Sequence, residues 1–164
     1  MPNLLYCIGL PRSGKSTICT KWANEKPMRA IVNSDSIRLA LTGQRYEPLA
    51  ETQVFATKHI MIRALLERGF DVIVDGTHST EVSIQRLLEI DENALAIPIN
   101  TDINDCVKRA VFTNQVNLMP SINRIHKNLI DLGFYNGELY YNILKIKQKV
   151  IDRNLYGKFG ETNG

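Results

Sequence analysis

The chain has 164 residues, 44% of them apolar and 23% charged, and its 20 Lys and Arg against 17 Asp and Glu leave a formal charge of +3. These proportions exclude a collagenous, disulfide-dense or largely disordered chain, and no apolar run reaches the roughly 18 residues that a membrane-spanning helix needs. The length suits one domain, able to bury about 70% of the surface its unfolded form exposes without a disulfide or structural metal.

The opening MPNLLYCIGL carries no basic leader and reads as a first strand rather than a signal peptide, and Pro2 removes the myristoylation pattern. Cys7, Cys19 and Cys106 form no CxxC pair. They are expected as reduced residues in or near the core of a cytoplasmic protein. The mild positive charge is compatible with a polyanion partner without specifying one.

Strands and helices alternate along the chain. Leu4 to Ile8 is a short continuous apolar run, the mark of a strand buried on both faces. A helix is predicted from Lys15 to about Glu25, and a second strand at Arg29–Asn33. A short helix should open near Asp35, where Ser34 and Asp35 offer capping oxygens. Gly43–Pro48 reads as a loop, and Ala50–Arg68 as the longest helix, with Gly69 at its C-terminal cap. Asp71–Asp75 is the third strand, rich in β-branched residues, and Ser79 or Thr80 can cap a helix running through Glu89. Leu95–Ile99 is the fourth strand, placed at an edge by Pro98. Helices are expected at Asn104–Val111, Ser121–Leu132 and Glu138–Arg153, with a frayed tail over Gly157–Gly164. This alternation predicts an α/β fold in three layers, with a mostly parallel sheet of four to five strands between helices.

Gly9-Leu10-Pro11-Arg12-Ser13-Gly14-Lys15-Ser16 matches the phosphate-loop pattern G-x-x-x-x-G-K-[ST] in full. It falls at the first strand-to-helix turn, where successive backbone N–H groups and the helix N-terminus can bind phosphate oxygens. The expected nucleotide contacts are Gly9, Leu10, Pro11, Arg12, Ser13, Gly14, Lys15, Ser16 and Thr17, with the Arg12 side chain turned to solvent. Lys15 should reach the β- and γ-phosphates, and Ser16 should ligate Mg²⁺. The donor implied is ATP or another nucleoside triphosphate.

The second strand ends in Asn33-Ser34-Asp35-Ser36-Ile37-Arg38. Residues just past the carboxyl ends of parallel strands face the ligand crevice. Asp35 and Arg38 share a helix face at a spacing of three. A carboxylate there can accept an alcohol proton and an arginine can hold an anionic part of the acceptor. The same spacing also fits an N-terminal Asp in an ordinary surface ion pair. Asp75, at the end of the third strand, can hold a metal-bound water, pair with Arg38, or simply form the turn before Gly76. Thr77 and His78 follow as candidate acceptor contacts, though His78 also suits a helix entry with no further role. His59 and His126 have no partner at metal-ligand spacing. Lys108, Arg109, Arg124 and Lys127 flank a polar stretch, Thr113–Pro120, that can act as a lid at about 110–121, or form a solvated basic face. Lys145, Lys147 and Lys149 read as surface charge, and Tyr135, Tyr140 and Tyr141 as core or half-buried packing.

Together these segments, with Val74-Asp75-Gly76-Thr77 and Cys106-Val107-Lys108-Arg109, resemble the 5′-hydroxyl polynucleotide kinase domain of the phage type over about residues 3–130. The resemblance implies an adenylate-kinase-like P-loop fold with a helical lid. It implies Asp35 as general base, Arg38 on an acceptor phosphate, and Arg109 as the lid-proximal arginine. Where that family has a second lid arginine, Val111-Phe112-Thr113 stand instead. Asp35-x-x-Arg38 also occurs in related kinases of small metabolites. The expectation is therefore an ATP- and Mg²⁺-dependent kinase of a nucleic-acid hydroxyl, either a 5′ end or a hydroxymethylated base. A small-metabolite kinase is the alternative, and a nucleotide-binding switch without transfer is a reading of another class.

Overall fold

The computed structural model describes residues 1–43 and 47–160. Its elements are β1 (Leu4–Ile8), α1 (Lys15–Asn24), β2 (Arg29–Asn33), α2 (Ser34–Thr42), α3 (Glu51–Glu67), β3 (Asp71–Asp75), α4 (Glu81–Ile90), β4 (Leu95–Pro98), α5 (Ile103–Phe112), α6 (Met119–Asp131) and α7 (Leu139–Gly160). The four strands form one sheet in the order β2-β3-β1-β4, and every neighbouring pair is parallel. Phosphate loop, β2 end and β3 end therefore meet at one edge, as the alternation of elements predicts.

Side chains alternate across a strand, so each strand feeds two cores. Tyr6, Ile8, Val32, Val72 and Val74 join a large cluster with Ile62 of α3, Leu87 of α4, Leu129 of α6 and Ile146 of α7. Cys7, Ile73 and Ile99 join a smaller cluster with Cys19, Leu5, Ile31 and Trp22 under α1. Burying each such large aliphatic side chain contributes about 1.5–3 kcal/mol. All three cysteines are free and buried, with Cys7 Sγ 3.4 Å from Cys19 Sγ.

Helix ends differ from expectation where capping chemistry lies outside the apolar pattern. The cap of α2 is Asn33 rather than Ser34 or Asp35; its side chain accepts from the Ser36 N–H, and the helix begins at Ser34. Thr80 and Ser83 form a reciprocal capping box on α4, and Asp102 caps α5. Gly69, at φ 85°, supplies the left-handed turn after α3. Met119 and Pro120 belong to α6, because proline is tolerated in a first turn, where its missing N–H has no partner to lose. The predicted lid is thus the end of α5, a short 3-10 turn over Val116–Leu118 and the start of α6. The predicted fourth strand ends at Pro98, although the Ile99 N–H still donates to the Ile8 carbonyl. α7 runs past Arg153 to Gly160, while 161–164 of the expected tail, and 44–46 of the expected loop, lie outside the described residues. Tyr140 and Tyr141 are exposed rather than packed, Tyr141 lying under the Lys145 ammonium. Tyr135 is stacked against His126 and Phe134. No described helix is long and apolar enough to cross a membrane.

Candidate active site

The phosphate loop is held from three sides. The Gly9 N–H donates to the Thr77 carbonyl at 3.2 Å, the Thr101 hydroxyl to the Ser13 carbonyl at 2.7 Å, and Arg109 Nη1 to the Arg12 carbonyl at 3.1 Å. Two glycines are required sterically. A Cβ on Gly9 would lie 2.9 Å from the Ile99 carbonyl oxygen, and Gly14 sits at φ 99°. Leu10, Pro11, Arg12 and Ser13 form the turn, and Lys15, Ser16 and Thr17 open α1. Arg12 itself takes φ 64°, and its side chain is half-buried instead of fully solvated.

Lys15 is 8% exposed. Its ammonium donates to the Leu10 carbonyl and, at 3.4 Å, to Ser13 Oγ. Burial pushes its pKa down, opposed by the nearby Asp75 carboxylate. A cation stripped of water interacts more strongly with whatever anion replaces that water.

Asp75 is buried at the end of β3. Its Oδ2 accepts from Ser16 Oγ at 2.7 Å and from Asn33 Nδ2 at 2.9 Å. It does not pair with Arg38. Asn33 also accepts from the Ser36 N–H at 3.0 Å, so one side chain joins the start of α2 to the partner of the phosphate-loop serine. Among the described residues no group of three His, Cys, Asp or Glu could hold a metal. The Ser16 hydroxyl and Asp75 carboxylate nonetheless fit Mg²⁺, which prefers hard oxygen donors, keeps several waters and takes further ligands from phosphates.

Asp35 lies in the first turn of α2 with its side chain 67% exposed, and Oδ1 accepts from Arg38 Nη1 at 2.8 Å. The rest of the Arg38 fork is taken by Glu51 of α3. Nε lies 2.9 Å from Oε2, and Nη2 lies 2.8 Å from Oε1. Hydrogen bonding to Glu51 first, and to Asp35 after it, holds the guanidinium more firmly charged than usual. A cavity of about 560 Å³ has Ser16, Asn33 and Asp75 in its polar lining and Ile37, Leu41 and Met61 in its apolar lining, while Asp35, Arg38 and Glu51 stand outside that lining. A smaller groove lies between Arg12, Lys108, Arg109 and Phe112, whose ring is fully exposed.

His78 lies under Tyr6 and outside the lining of the cavity. It is 6% exposed, its Nδ1 lies 2.6 Å from the Cys7 carbonyl, and its ring meets Tyr6 edge-on. Burial lowers its pKa to about 4, so it stays neutral at ordinary pH. Thr77 serves the loop through its backbone carbonyl. Arg124 and Lys127 are exposed on α6. Sequence reasoning missed Asn33, Glu51 and Thr101. Asn33 had a signal, being the capping-type residue directly before a predicted helix, whereas the other two had none.

A family model described as AAA domain matches residues 4–110. No curated protein matches the chain. Among solved structures, a chain of a Pnkp1/Rnl/Hen1 complex superposes with a TM-score of 0.60 at 29% identity, over 66% of this chain and 38% of its own. A chain of a Pnkp1/Rnl/Hen1 RNA repair complex gives 0.66 at 24% identity, over 88% of this chain and 46% of its own. This chain thus spans less than half the length of either. Shikimate kinase from Acinetobacter baumannii, in complex with shikimate, gives 0.53 at 17% identity and 96% of both chains. The parallel sheet, the filled phosphate-loop pattern and these similarities describe a P-loop kinase-like fold, and the match over most of the chain places this protein in the AAA domain family.

Proposed function

We propose that this protein is an ATP- and Mg²⁺-dependent kinase that phosphorylates a hydroxyl of a nucleic acid, with a 5′ end as the favoured acceptor and a hydroxymethylated base as the other. The observation that carries the reading is the hydrogen-bonded line Ser16–Asp75–Asn33–Ser36, which ties the helix bearing Asp35 to the phosphate loop. Likeness to chains of an RNA repair complex supports an end over a base.

The acceptor oxygen attacks the γ-phosphorus, and the bond from that phosphorus to the β–γ bridging oxygen breaks. The hydroxyl proton passes to the Asp35 carboxylate and ADP leaves. Backbone N–H groups of the loop and the Lys15 ammonium stabilise charge on the transferring group. Ser16 and Asp75 would hold Mg²⁺, which neutralises phosphate charge when bound. Arg38 binds an anionic part of the acceptor, and Arg12, Arg109 and Phe112 flank the groove for the donor base. The segment around 110–121 closes over the donor as a lid. The free buried cysteines fit a cytoplasmic protein.

The cavity of about 560 Å³ supports a second reading, since that volume suits a small metabolite. Incubation with γ-labelled ATP and a panel of 5′-hydroxyl DNA, 5′-hydroxyl RNA, hydroxymethyl-base DNA and common metabolites separates the two. Label on a polynucleotide supports the first reading. Label on a metabolite alone transfers the assignment to the second. Release of free phosphate with every acceptor overturns both.

A further inference from the structure

Lys58 has no part in the site described so far, yet it is buried. Only 7% of it is exposed, and among the described residues its ammonium makes no hydrogen bond or ion pair. It lies 5.2 Å from the centroid of Phe55, and the Arg86 guanidinium lies 4.8 Å from the same centroid. Glu51, Phe55 and Lys58 recur at helical spacing on α3 and so line up along one face. Glu51 at the start of that face holds Arg38, and Arg86 reaches its middle, at Phe55, from α4. The Lys58 charge also acts on His78, just past the end of β3.

The charges along this line do not balance. Arg38, Lys58 and Arg86 face Glu51 and Asp35, and both carboxylates are bonded to Arg38. An ammonium largely stripped of water and without a hydrogen-bond partner is costly, and an anion that reaches it offsets that cost.

We infer that Lys58 and Arg86, held side by side on the Phe55 ring, form an acceptor track, in which Lys58 binds the second phosphate of a nucleic-acid strand and Arg86 a phosphate further out. This inference rests on the nucleic-acid reading and deepens it. The occupant is a strand with at least two consecutive phosphates, for which Arg38 takes the phosphate nearest the reacting hydroxyl.

The test compares two acceptors, a nucleoside 3′-phosphate and a 5′-hydroxyl oligonucleotide. Lys58→Met keeps length and apolar packing while removing the charge. It should raise the oligonucleotide KM about tenfold more than the nucleoside 3′-phosphate KM, with Lys58→Arg restoring much of the difference. Lys58→Met and Arg86→Ala should each reduce the slope of log affinity against log salt by about 0.7 for single strands. Equal effects on both acceptors, or an unchanged salt slope, overturn the track. Transfer by the wild type to no nucleic acid overturns the kinase reading instead. The track is then decided by equilibrium binding of the same oligonucleotide, and binding left unchanged by both substitutions sinks it.

Discussion

The donor and acceptor halves of the site are built in different ways. On the donor side most of the fixing bonds end on backbone, with Lys15 on the Leu10 carbonyl, Thr101 on the Ser13 carbonyl and Arg109 on the Arg12 carbonyl, while Ser16 bonds the Asp75 side chain. On the acceptor side they join side chain to side chain, with Arg38 shared between Glu51 and Asp35. A backbone cradle keeps its shape when one side chain changes. A side-chain network redistributes its bonds. The donor half is therefore the rigid reference, and the acceptor half is where specificity can change at small cost to the fold.

The sharpest probe of this contrast is the pair Asp35→Asn and Lys15→Ala. Asp35→Asn should lower kcat about a hundred- to ten-thousandfold, the range for losing a general base, while ATP affinity measured by titration calorimetry stays within about twofold. Lys15→Ala should lower kcat about a hundred- to a thousandfold by removing charge stabilisation at the transferring group. Wild-type turnover in Asp35→Asn would falsify its role as base.

Next in size are the two partners of the acceptor ion pair. Arg38→Ala should raise the acceptor KM about ten- to a hundredfold with the ATP KM nearly unchanged. Glu51→Gln keeps a hydrogen-bonding oxygen, so its acceptor KM should move by only about three- to tenfold. Steady-state kinetics with each substrate varied in turn reads both. If Glu51→Gln proves the more damaging, Glu51 rather than Arg38 organises this side.

A smaller effect should appear with pH. Burial first, then the Arg86 and Arg38 charges, lower the Lys58 pKa to about 8, while Glu51 opposes them. An anion at Lys58 favours the ammonium form. Oligonucleotide affinity should therefore be full below about pH 7 and fall severalfold toward about pH 9, as that proton is lost. His78 and His59, the histidines that feel the Lys58 charge, are both pushed below their ordinary value by burial first and are neutral throughout this window, while Glu51 first holds Arg38 more firmly charged. In Lys58→Met the fall should disappear; its persistence would assign the titration elsewhere.

The halves also differed in how far they could be read from sequence. The phosphate loop was legible because backbone geometry, glycine placement and a terminal lysine are all written within one short run, and the apolar runs located each strand. The burial of His78 was not legible because sequence does not say which way a residue after a strand turns. The chain takes φ 39° there and the ring swings under Tyr6. The Arg38–Glu51 pair was not legible because its partners come from different helices, and only packing sets their distance. Asn33 was passed over for the more acidic Asp35 as a cap, although an amide can accept from the helix and donate to Asp75 at once.

That double use of Asn33 has a consequence for the order of events. Its amide is a joint between two substrate pockets, so a shift of α2 must either carry the Asp75 carboxylate along or break a bond. On the proposed kinase reading, occupancy of one pocket should change affinity in the other, with thermodynamic linkage making the influence equal in both directions. Asn33→Ala should uncouple the two pockets while destabilising the fold by about 1 kcal/mol through the lost cap, the smallest change foreseen here and one that thermal unfolding can measure.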